Sequence, residues 1–311
     1  MQVGKPSRTA EYMALFRAVE SCRAEHLRLF TDPFAIGFLT SGLRAAVTAA
    51  RFPGLRSLVP RVIDHRAPGP RISALVRTRM IDDALTDALA EGTRQVVILG
   101  AGYDSRAYRI KGIEHAHVFE VDHPTTQTAK RRRLGRMLGV LPSTVTFVAV
   151  DFMRADFGPL LMAAEYDVSQ RAFFIWEGVT NYLDDDAVDG TLRWIAEHSA
   201  PDSRISFTYV DRGLLDGSKS FPGSEQWVAS VRKAGEPFTF GLEPATLAPY
   251  LAERGMHLLS DVSTADALTR YGRRASGELP PPGFYRVALA EVAGRRVKML
   301  CPPPAHTQTA T

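Results

Sequence analysis

Apolar residues recur at helical spacing in two stretches of the first ninety residues. One apolar face runs through residues 11–30 and is followed by an Asp-Pro pair. A second runs through residues 71–90, and Gly92 follows it in the position of a C-terminal cap. We therefore predict two helices. The segment between them, residues 51–70, is rich in proline and glycine, which predicts a loop.

After residue 94 the pattern changes to short apolar runs separated by helical stretches. Seven runs are rich in β-branched and aromatic residues: 96–99, 117–121, 145–150, 173–176, 205–210, 256–259 and 284–289. The first four are almost continuously apolar, as strands buried on both faces of a sheet must be. This alternation predicts an α/β fold with a doubly wound, mostly parallel seven-stranded sheet. The last two runs leave no room for a normal crossover helix, so we predict an antiparallel strand at the sheet edge.

Composition limits the class of protein. The chain has 311 residues, 45% hydrophobic and 23% charged, and no apolar run reaches the roughly 18 residues of a membrane helix. The first residues lack the apolar segment of a signal peptide, and the two cysteines lack metal-site spacing. We expect a cytoplasmic protein without metal or membrane binding. The net charge of +4 is small, and the basic run 130–133 has no interleaved aromatic residues, so we expect no nucleic-acid partner.

The run 96–99 leads into a glycine-containing turn. Gly100 and Gly102 allow the backbone to turn tightly and to pass close to a ligand. A dinucleotide-binding loop would have a third glycine where Ser105 stands, and Asp104 would repel a phosphate at the start of the following helix. An acidic turn instead favours a cationic ligand. The sulfonium and ammonium groups of S-adenosylmethionine meet this requirement.

Carboxylates also follow the next three runs. Glu120 and Asp122 come about 20 residues after the glycines, where a carboxylate can bind both ribose hydroxyls. Asp151 and Phe152 follow the third run and suit the amine and ring of adenine, and Glu177 follows the fourth. Because open α/β sheets bind ligands at the carboxyl ends of their strands, we predict that these residues form one ligand site.

Together these motifs resemble those of the class I S-adenosylmethionine-dependent methyltransferases, specifically the leucine carboxyl methyltransferase-like family. That family includes many actinobacterial methyltransferases and polyketide carboxyl O-methyltransferases of the tetracenomycin type. The similarity covers about residues 8–290 and rests on the motifs at 30–33, 76–82, 99–106, 119–124, 150–152 and 176–183. It implies a Rossmann-like fold. We expect a helical cap at 1–91, a methyltransferase domain at 92–300 with an insertion at about 212–254, and a disordered tail at 301–311.

The resemblance also implies roles for single residues. Arg77 would pair with the carboxylate of the cofactor's methionine part, and Arg79 is the alternative, being two residues away on another helix face. Arg17 falls near a basic residue that closes over the cofactor in some members. The other cofactor residues that it implies are Gly100, Gly102, Glu120, Asp122, Asp151, Phe152 and Glu177.

These features favour methyl transfer to a carboxylate of a small, hydrophobic or aromatic molecule. A carboxylate is already ionised at neutral pH and needs no general base, and none of the eight histidines lies in a motif typical of a base. It does need a hydrogen-bond donor, for which Tyr182 is the first candidate and Arg106 the second. Transfer to a hydroxyl, with His65 or His123 as the base, is one alternative. A protein that binds S-adenosylmethionine without catalysis is another.

Overall fold

A mixed sheet of seven strands forms the centre of the protein. The computed structural model describes residues 7–52, 54–55, 58–66, 69–151, 156–233, 235–271 and 281–294, so the predicted tail at 301–311 lies outside the described residues. The strands are β1 (Gln95–Leu99), β2 (His117–Asp122), β3 (Val145–Ala149), β4 (Ala172–Trp176), β5 (Arg204–Val210), β6 (Met256–Ser263) and β7 (Tyr285–Val292). Their order across the sheet is β3-β2-β1-β4-β5-β7-β6.

The strand directions confirm the predicted α/β fold. β1 to β5 pair in parallel, whereas β7 pairs antiparallel with both β5 and β6. The last two strands are therefore antiparallel to each other, as predicted. The antiparallel strand β7 lies one position inside the sheet, because it inserts between β5 and the edge strand β6.

Helices cover both faces of this sheet. Four precede it: α1 (Arg8–Ser21), α2 (Ser41–Ala49), α3 (Leu58–Arg66) and α4 (Pro70–Ala90). The others are α5 (Arg106–Arg109), α6 (Pro124–Leu138), α7 (Phe157–Ala163), α8 (Asp185–Glu197), α9 (Arg212–Leu215), α10 (Ser224–Lys233), α11 (Leu247–Ala252) and α12 (Thr264–Tyr271). Within the described ranges, none of these helices combines the length and apolarity that crossing a bilayer requires.

The prediction for α4 is confirmed, including its end. Gly92 has a φ of 95°, which favours glycine. The N–H of Gly92 donates to the carbonyl of Leu89 at 3.1 Å, and the N–H of Thr93 donates to that of Ala88 at 3.0 Å. The last carbonyls of the helix thus find partners in a glycine-containing cap.

The prediction of one helix through residues 11–30 is wrong, because α1 ends at Ser21. A buried carboxylate stabilises the turn that follows. Glu20 accepts the N–H of Leu29 at 2.6 Å and pairs with Arg23 at 3.1 Å. Leu29 is buried, with 4% of its surface exposed, although it lies outside the helix. The apolar spacing therefore continues past the end of α1 because the turn that follows also packs on the core.

The predicted loop at 51–70 contains a helix, which corrects the sequence-based prediction. α3 begins at Leu58, so Pro60 falls in its first turn. The missing N–H of proline costs no hydrogen bond there, because the first N–H groups of any helix lack internal partners. Proline content alone therefore misidentified this segment.

The apolar core has two layers, one on each face of the sheet. Val97 and Phe174 pack with Leu192 of α8 on one face, and Ile98 and Ile175 pack with residues of α4 on the other. Every residue of β1 and β4 is buried. This packing fixes the central strands, and their carboxyl ends present the turns that carry the candidate site.

Candidate functional site

The turn after β1 crosses the carboxyl end of the sheet and lies directly against β2. Gly100 and Gly102 have φ values of 69° and 45°, both in the left-handed region. A Cβ on Gly100 would lie 2.4 Å from Cγ2 of Val179, which is too close for any side chain. The N–H groups of Gly100 and Ala101 donate to the carbonyl of Val121 at 2.8 and 3.1 Å. The turn thus has the close backbone approach that the sequence predicted for these glycines.

Asp122 ends β2 with its carboxylate beside this turn. One oxygen accepts the N–H of Gly102 at 2.9 Å, and the other accepts the N–H of His123 at 2.8 Å. Burial raises the pKa of Asp122, although both backbone bonds act to lower it. No side-chain cation pairs with Asp122 in the part of the chain that the structure describes. Its oxygens therefore retain lone pairs for hydroxyl groups of a ligand.

Glu120 lies deeper in the protein. Its side chain is 1% exposed, and its oxygens lie 2.7 Å from Nζ of Lys130 and 3.0 Å from the hydroxyl of Tyr108, which donates. It is two residues before Asp122, or roughly 6–7 Å further from the strand end. This placement argues against the prediction that Glu120 binds the ribose together with Asp122, because the carboxylate of Glu120 already contacts two side chains inside the protein.

A buried arginine joins three carboxylates beneath the glycine turn. Arg106 is 2% exposed, and its guanidinium lies 2.7 Å from Asp82 of α4, 2.9 Å from Glu177 after β4, and in contact with Asp104. Burial acts to raise the pKa of Asp104, but the charge of Arg106 and other cations outweighs it and lowers this pKa to about 2. Because its charge is satisfied by three acids, Arg106 is a poor candidate for holding an acceptor.

Asp82 was not predicted from the sequence. It lies in α4 between Ile81 and Leu85, which are fully buried, and it also pairs with Arg109 at 2.6 Å. A carboxylate among the apolar residues of a buried helix is the signal that could have identified it, since a buried charge needs a partner.

Arg77 is the second arginine near the carboxyl ends of the parallel strands. Its Nε lies 2.9 Å from Glu177, and its guanidinium carbon lies 4.8 Å from the centre of the Tyr285 ring. Arg79 projects elsewhere: it pairs with Asp83 one turn later at 2.8 Å and is 35% exposed. Of the two alternatives, the structure therefore places Arg77 next to Glu177 and the glycine turn.

Helix α1 covers the glycine turn. A Cβ on Gly102 would lie 3.2 Å from that of Ala10, and Nη2 of Arg77 lies 3.2 Å from Sδ of Met13. Two turns of α1 thus contact the residues that the sequence assigned to a cofactor.

The Asp-Pro motif joins α1 to the same turn. Asp32 lies 2.8 Å from Nε of Arg17 and accepts the hydroxyl of Ser105 at 2.6 Å. Arg17 also donates to the carbonyl of Tyr103. Asp32 and Arg17 thus hold the turn through its residues Tyr103 and Ser105, a role that the sequence analysis missed.

Tyr182 follows Glu177 in a short 3-10 helix, Thr180–Tyr182. Its ring centre is 6.0 Å from that of Phe238. Burial raises the pKa of Tyr182, nearby Tyr285 adds to this, and Arg77 opposes it. The phenol is therefore a protonated donor at neutral pH.

The predicted adenine contacts follow β3. The carboxylate of Asp151 lies 3.9 Å from Nε2 of His123, which brings it to the same edge of the sheet as Asp122. Phe152 lies outside the described residues.

The sheet order and the glycine turn define the class of protein, an α/β fold of the methyltransferase type. The structure is similar to a crystal structure from Thermobifida fusca YX provisionally named a methyltransferase. The two structures align with a TM-score of 0.59 and 16% sequence identity, and the alignment covers 94% of this chain and 97% of that chain. A DUF574 family protein from Streptomyces avermitilis gives a TM-score of 0.54, with 13% identity and coverage of 89% and 96%. At these identities the similarity concerns the fold.

Sequence similarity narrows the class. The family model described as leucine carboxyl methyltransferase matches residues 10–196. A Streptomyces coelicolor protein provisionally named an S-adenosyl-L-methionine-dependent methyltransferase is 37% identical over 232 residues, covering 72% of this chain and 77% of its own. A Frankia alni protein with the same provisional name is 33% identical, covering 81% and 88%. The chain belongs to the leucine carboxyl methyltransferase family, which confirms the predicted family.

Proposed function

We propose that this chain, an S-adenosyl-L-methionine-dependent methyltransferase, transfers the methyl group to the carboxylate of a small hydrophobic or aromatic molecule and forms a methyl ester. One observation carries the proposal. At the carboxyl edge of the sheet a glycine turn lies between Asp122, which has no ion pair among the described residues, and the Arg77–Glu177 pair at 2.9 Å. The arginine and the glutamate match, in charge, the two ends of an amino-acid zwitterion.

These residues fit the parts of S-adenosylmethionine. We assign the ribose hydroxyls to Asp122 alone, because Glu120 is buried against Lys130 at 2.7 Å. Arg77 would bind the carboxylate of the cofactor and Glu177 its ammonium group. Asp104 would add negative potential beside the sulfonium, and Asp151 and Phe152 would contact adenine. When bound, the cofactor supplies an electrophilic methyl group on sulfur.

Helix α1 would serve as a cap over this site. Ala10 and Met13 contact the glycine turn and Arg77, so α1 lies over the place where the cofactor would bind. We propose that the residues before position 92 form this cap. It would exclude water during transfer, which suits a reaction that depends on positioning.

A carboxylate acceptor suits the polar groups around Tyr182. One carboxylate oxygen would supply the lone pair for the new bond to the methyl carbon, and the cofactor, when bound, would keep the electron pair of its carbon–sulfur bond on sulfur. No proton moves, so no base is needed. Tyr182 would donate a hydrogen bond to the second carboxylate oxygen and orient the first toward the methyl group.

His123, the alternative candidate for a general base, makes contacts with Thr125 and Asp151. Its Nδ1 accepts the N–H of Thr125 at 3.2 Å and thereby caps α6, and its Nε2 lies 3.9 Å from Asp151. Because Nδ1 accepts a hydrogen bond, the neutral ring carries its proton on Nε2 and has no free lone pair with which to remove a proton from a hydroxyl acceptor. This supports a carboxylate acceptor over a hydroxyl for which His123 would be the base.

A small cavity indicates the size of the acceptor. Its volume is about 170 Å³, and its wall is partly apolar, with Leu214 and Phe238, and partly polar, with Arg232 and Thr239. Phe238 also packs against Tyr182, with ring centres 6.0 Å apart, so the cavity adjoins the proposed donor. An apolar cavity of roughly 150 Å³ binds benzene. We therefore propose an acceptor whose apolar part is about one ring in size.

The test is methyl transfer from labelled S-adenosylmethionine to a panel of monocarboxylic acids across pH. We expect base-labile methyl esters and a rate that stays level between about pH 6 and 8.5, because the acceptor stays ionised. Label that is transferred only to alcohols or phenols, with a rate that falls as a histidine protonates near about pH 6.5, would contradict the proposal. Tight cofactor binding without transfer to any acceptor would favour a non-catalytic role.

A further inference from the structure

Asn181, next to Tyr182, contains a buried amide donor that forms no hydrogen bond among the described residues. The residue is 0% exposed, and its Oδ1 accepts the hydroxyl of Tyr285 at 3.0 Å. Its Nδ2 has no hydrogen-bond partner in the described ranges. Because an unsatisfied buried amide costs free energy, native proteins rarely retain one unless a ligand or water completes it.

The orientation of this amide is fixed from several sides. The carbonyl of Asn181 accepts the N–H of Thr239 at 2.9 Å, which fixes the backbone. Tyr285 is 2% exposed and stacks on Trp227 with ring centres 5.6 Å apart, which fixes the phenol. With Oδ1 held by Tyr285, the two N–H groups of Nδ2 keep one direction.

The amide lies among polar and charged groups, including the carboxylate of Glu236, which acts to raise the pKa of Tyr182. The Asn181 side chain lies close enough to Tyr182 to lower its pKa, against the larger effect of burial, although Nδ2 does not reach hydrogen-bond geometry. The guanidinium of Arg77 lies over the Tyr285 ring at 4.8 Å. Two neutral donors, Asn181 and Tyr182, thus lie beside one cation.

We propose that the Nδ2 group of Asn181 donates a hydrogen bond to the acceptor carboxylate, and that Tyr285 is a positioning residue that sets the direction of the amide. The inference rests on the function proposed above. Neutral donors hold the carboxylate without the full charge pairing that an arginine would impose, so the attacking oxygen keeps its nucleophilic lone pair. Because Nδ2 can only donate, the site selects an acceptor that presents oxygen lone pairs.

The test compares Asn181→Asp with the wild type. This change keeps side-chain volume and the acceptor for Tyr285 but replaces the amide donor with an anionic oxygen. We expect kcat/KM for the best acid of a monocarboxylate panel, including benzoate, 1-naphthoate and octanoate, to fall at least thirtyfold at pH 8. Gln170→Glu makes the same amide-to-acid change on an exposed turn before β4, at the opposite edge of the sheet, and should leave kcat/KM near the wild-type value.

A pH series separates this role from damage to the fold. As pH falls from 8 to 5, the introduced carboxyl gains a proton and regains a donor, so the variant-to-wild-type ratio of kcat/KM should rise. Arg77, Tyr285 and Glu236 lie around Tyr182 in both proteins, so the ratio removes their direct effect on the rate. They also act on the introduced carboxyl, whose pKa would be raised by burial and by Glu236 and lowered by Arg77. A ratio that is low and independent of pH would overturn the inference.

A second variant keeps the inference falsifiable if Asn181→Asp does not fold. Tyr285→Phe should raise KM for the acid about fivefold while the dissociation constant of S-adenosylhomocysteine, measured by calorimetry, stays within threefold. Unchanged KM in this variant would overturn the positioning role. Wild-type enzyme that esterifies acids, together with an unaffected Asn181→Asp variant, would overturn this inference alone. Wild-type enzyme that esterifies no acid would overturn the proposed function and this inference with it.

Discussion

Two neighbouring regions at the carboxyl edge of the sheet are stabilised in opposite ways. The ionic cluster consists of Arg77, Asp82, Asp104, Arg106 and Glu177, joined by ion pairs of at most 2.9 Å. The aromatic cluster consists of Tyr182, Trp227, Phe238, Phe284 and Tyr285, with neighbouring rings 4.9 to 6.4 Å apart. Arg77 belongs to both, since it pairs with Glu177 and lies over Tyr285.

The difference follows from what burial costs each kind of group. Buried charges need partners, so the acids of the ionic cluster are matched by arginines and its geometry is fixed. Aromatic rings pack favourably without charge, and the neutral Nδ2 group of Asn181, which has no partner among the described residues, costs less than an unpaired charge would. The fixed geometry of the ionic cluster therefore suits a zwitterionic cofactor that is the same in every reaction. The aromatic cluster suits an acceptor that completes it.

The largest effect should come from breaking the ionic cluster at its centre. Arg106→Met would leave Asp82, Asp104 and Glu177 buried without their shared cation, and we expect the free energy of unfolding to fall by about 3–5 kcal/mol. Urea unfolding followed by circular dichroism measures this. Arg193→Met removes an exposed pair with Asp189 and should change stability little. Equal effects of the two changes would show that the cluster is not structural.

The second prediction concerns the loss of folding stability at acidic pH. The pKa of Asp104 lies at about 2 in the folded chain, below the value of about 4 expected when unfolded. A depressed pKa contributes stability that is complete above about pH 4 and is lost as pH falls through about 2. Asp104→Asn should therefore cost roughly 2 kcal/mol at neutral pH, and the difference from wild type should shrink below about pH 4.

Unfolding free energies measured between pH 7 and 2 test this dependence. Asp87→Asn, at an exposed position of α4, serves as the control and should run parallel to the wild type. A difference between Asp104→Asn and wild type that stays constant with pH would mean that the ionised form of Asp104 is not selectively stabilised.

The third prediction extends the comparison to binding. Asp122→Ala should weaken S-adenosylmethionine binding at least about tenfold, because a charge-assisted contact to the ribose hydroxyls is lost. Calorimetry gives the dissociation constant directly. Asp167→Ala, on an exposed turn at the opposite edge of the sheet, is the matched control. Equal affinities of the two variants would remove Asp122 from the cofactor site.

The smallest effect is expected in the aromatic cluster. Tyr182→Phe should lower kcat about fivefold, since one hydrogen bond to the acceptor is worth about 1 kcal/mol, while cofactor affinity stays unchanged. Tyr166→Phe removes a buried phenol that contacts Ser199 at 3.0 Å, away from the site, and controls for loss of the hydroxyl. If both variants keep wild-type turnover, the acceptor is held elsewhere.

The sequence predicted the central sheet because its strands are defined by local chemistry. β1 and β4 are buried along their whole length, which requires the continuous apolar runs by which they were recognised. The turn at Gly100 was equally local, since its left-handed φ favours glycine. Helix ends were less certain. Apolar spacing reports burial, and Leu29 is buried in a turn after α1 as fully as it would be in a helix.

The sequence by itself determined that acids follow the strands of an α/β sheet beside a glycine turn. Only the tertiary structure decided their partners. Glu120 meets Lys130 inside the protein whereas Asp122 forms no ion pair with any described residue, and Arg77 rather than Arg79 reaches Glu177, one hundred positions away in the chain. The physical reason is that a charge is defined by its residue, but its partner is brought to it by packing between distant segments.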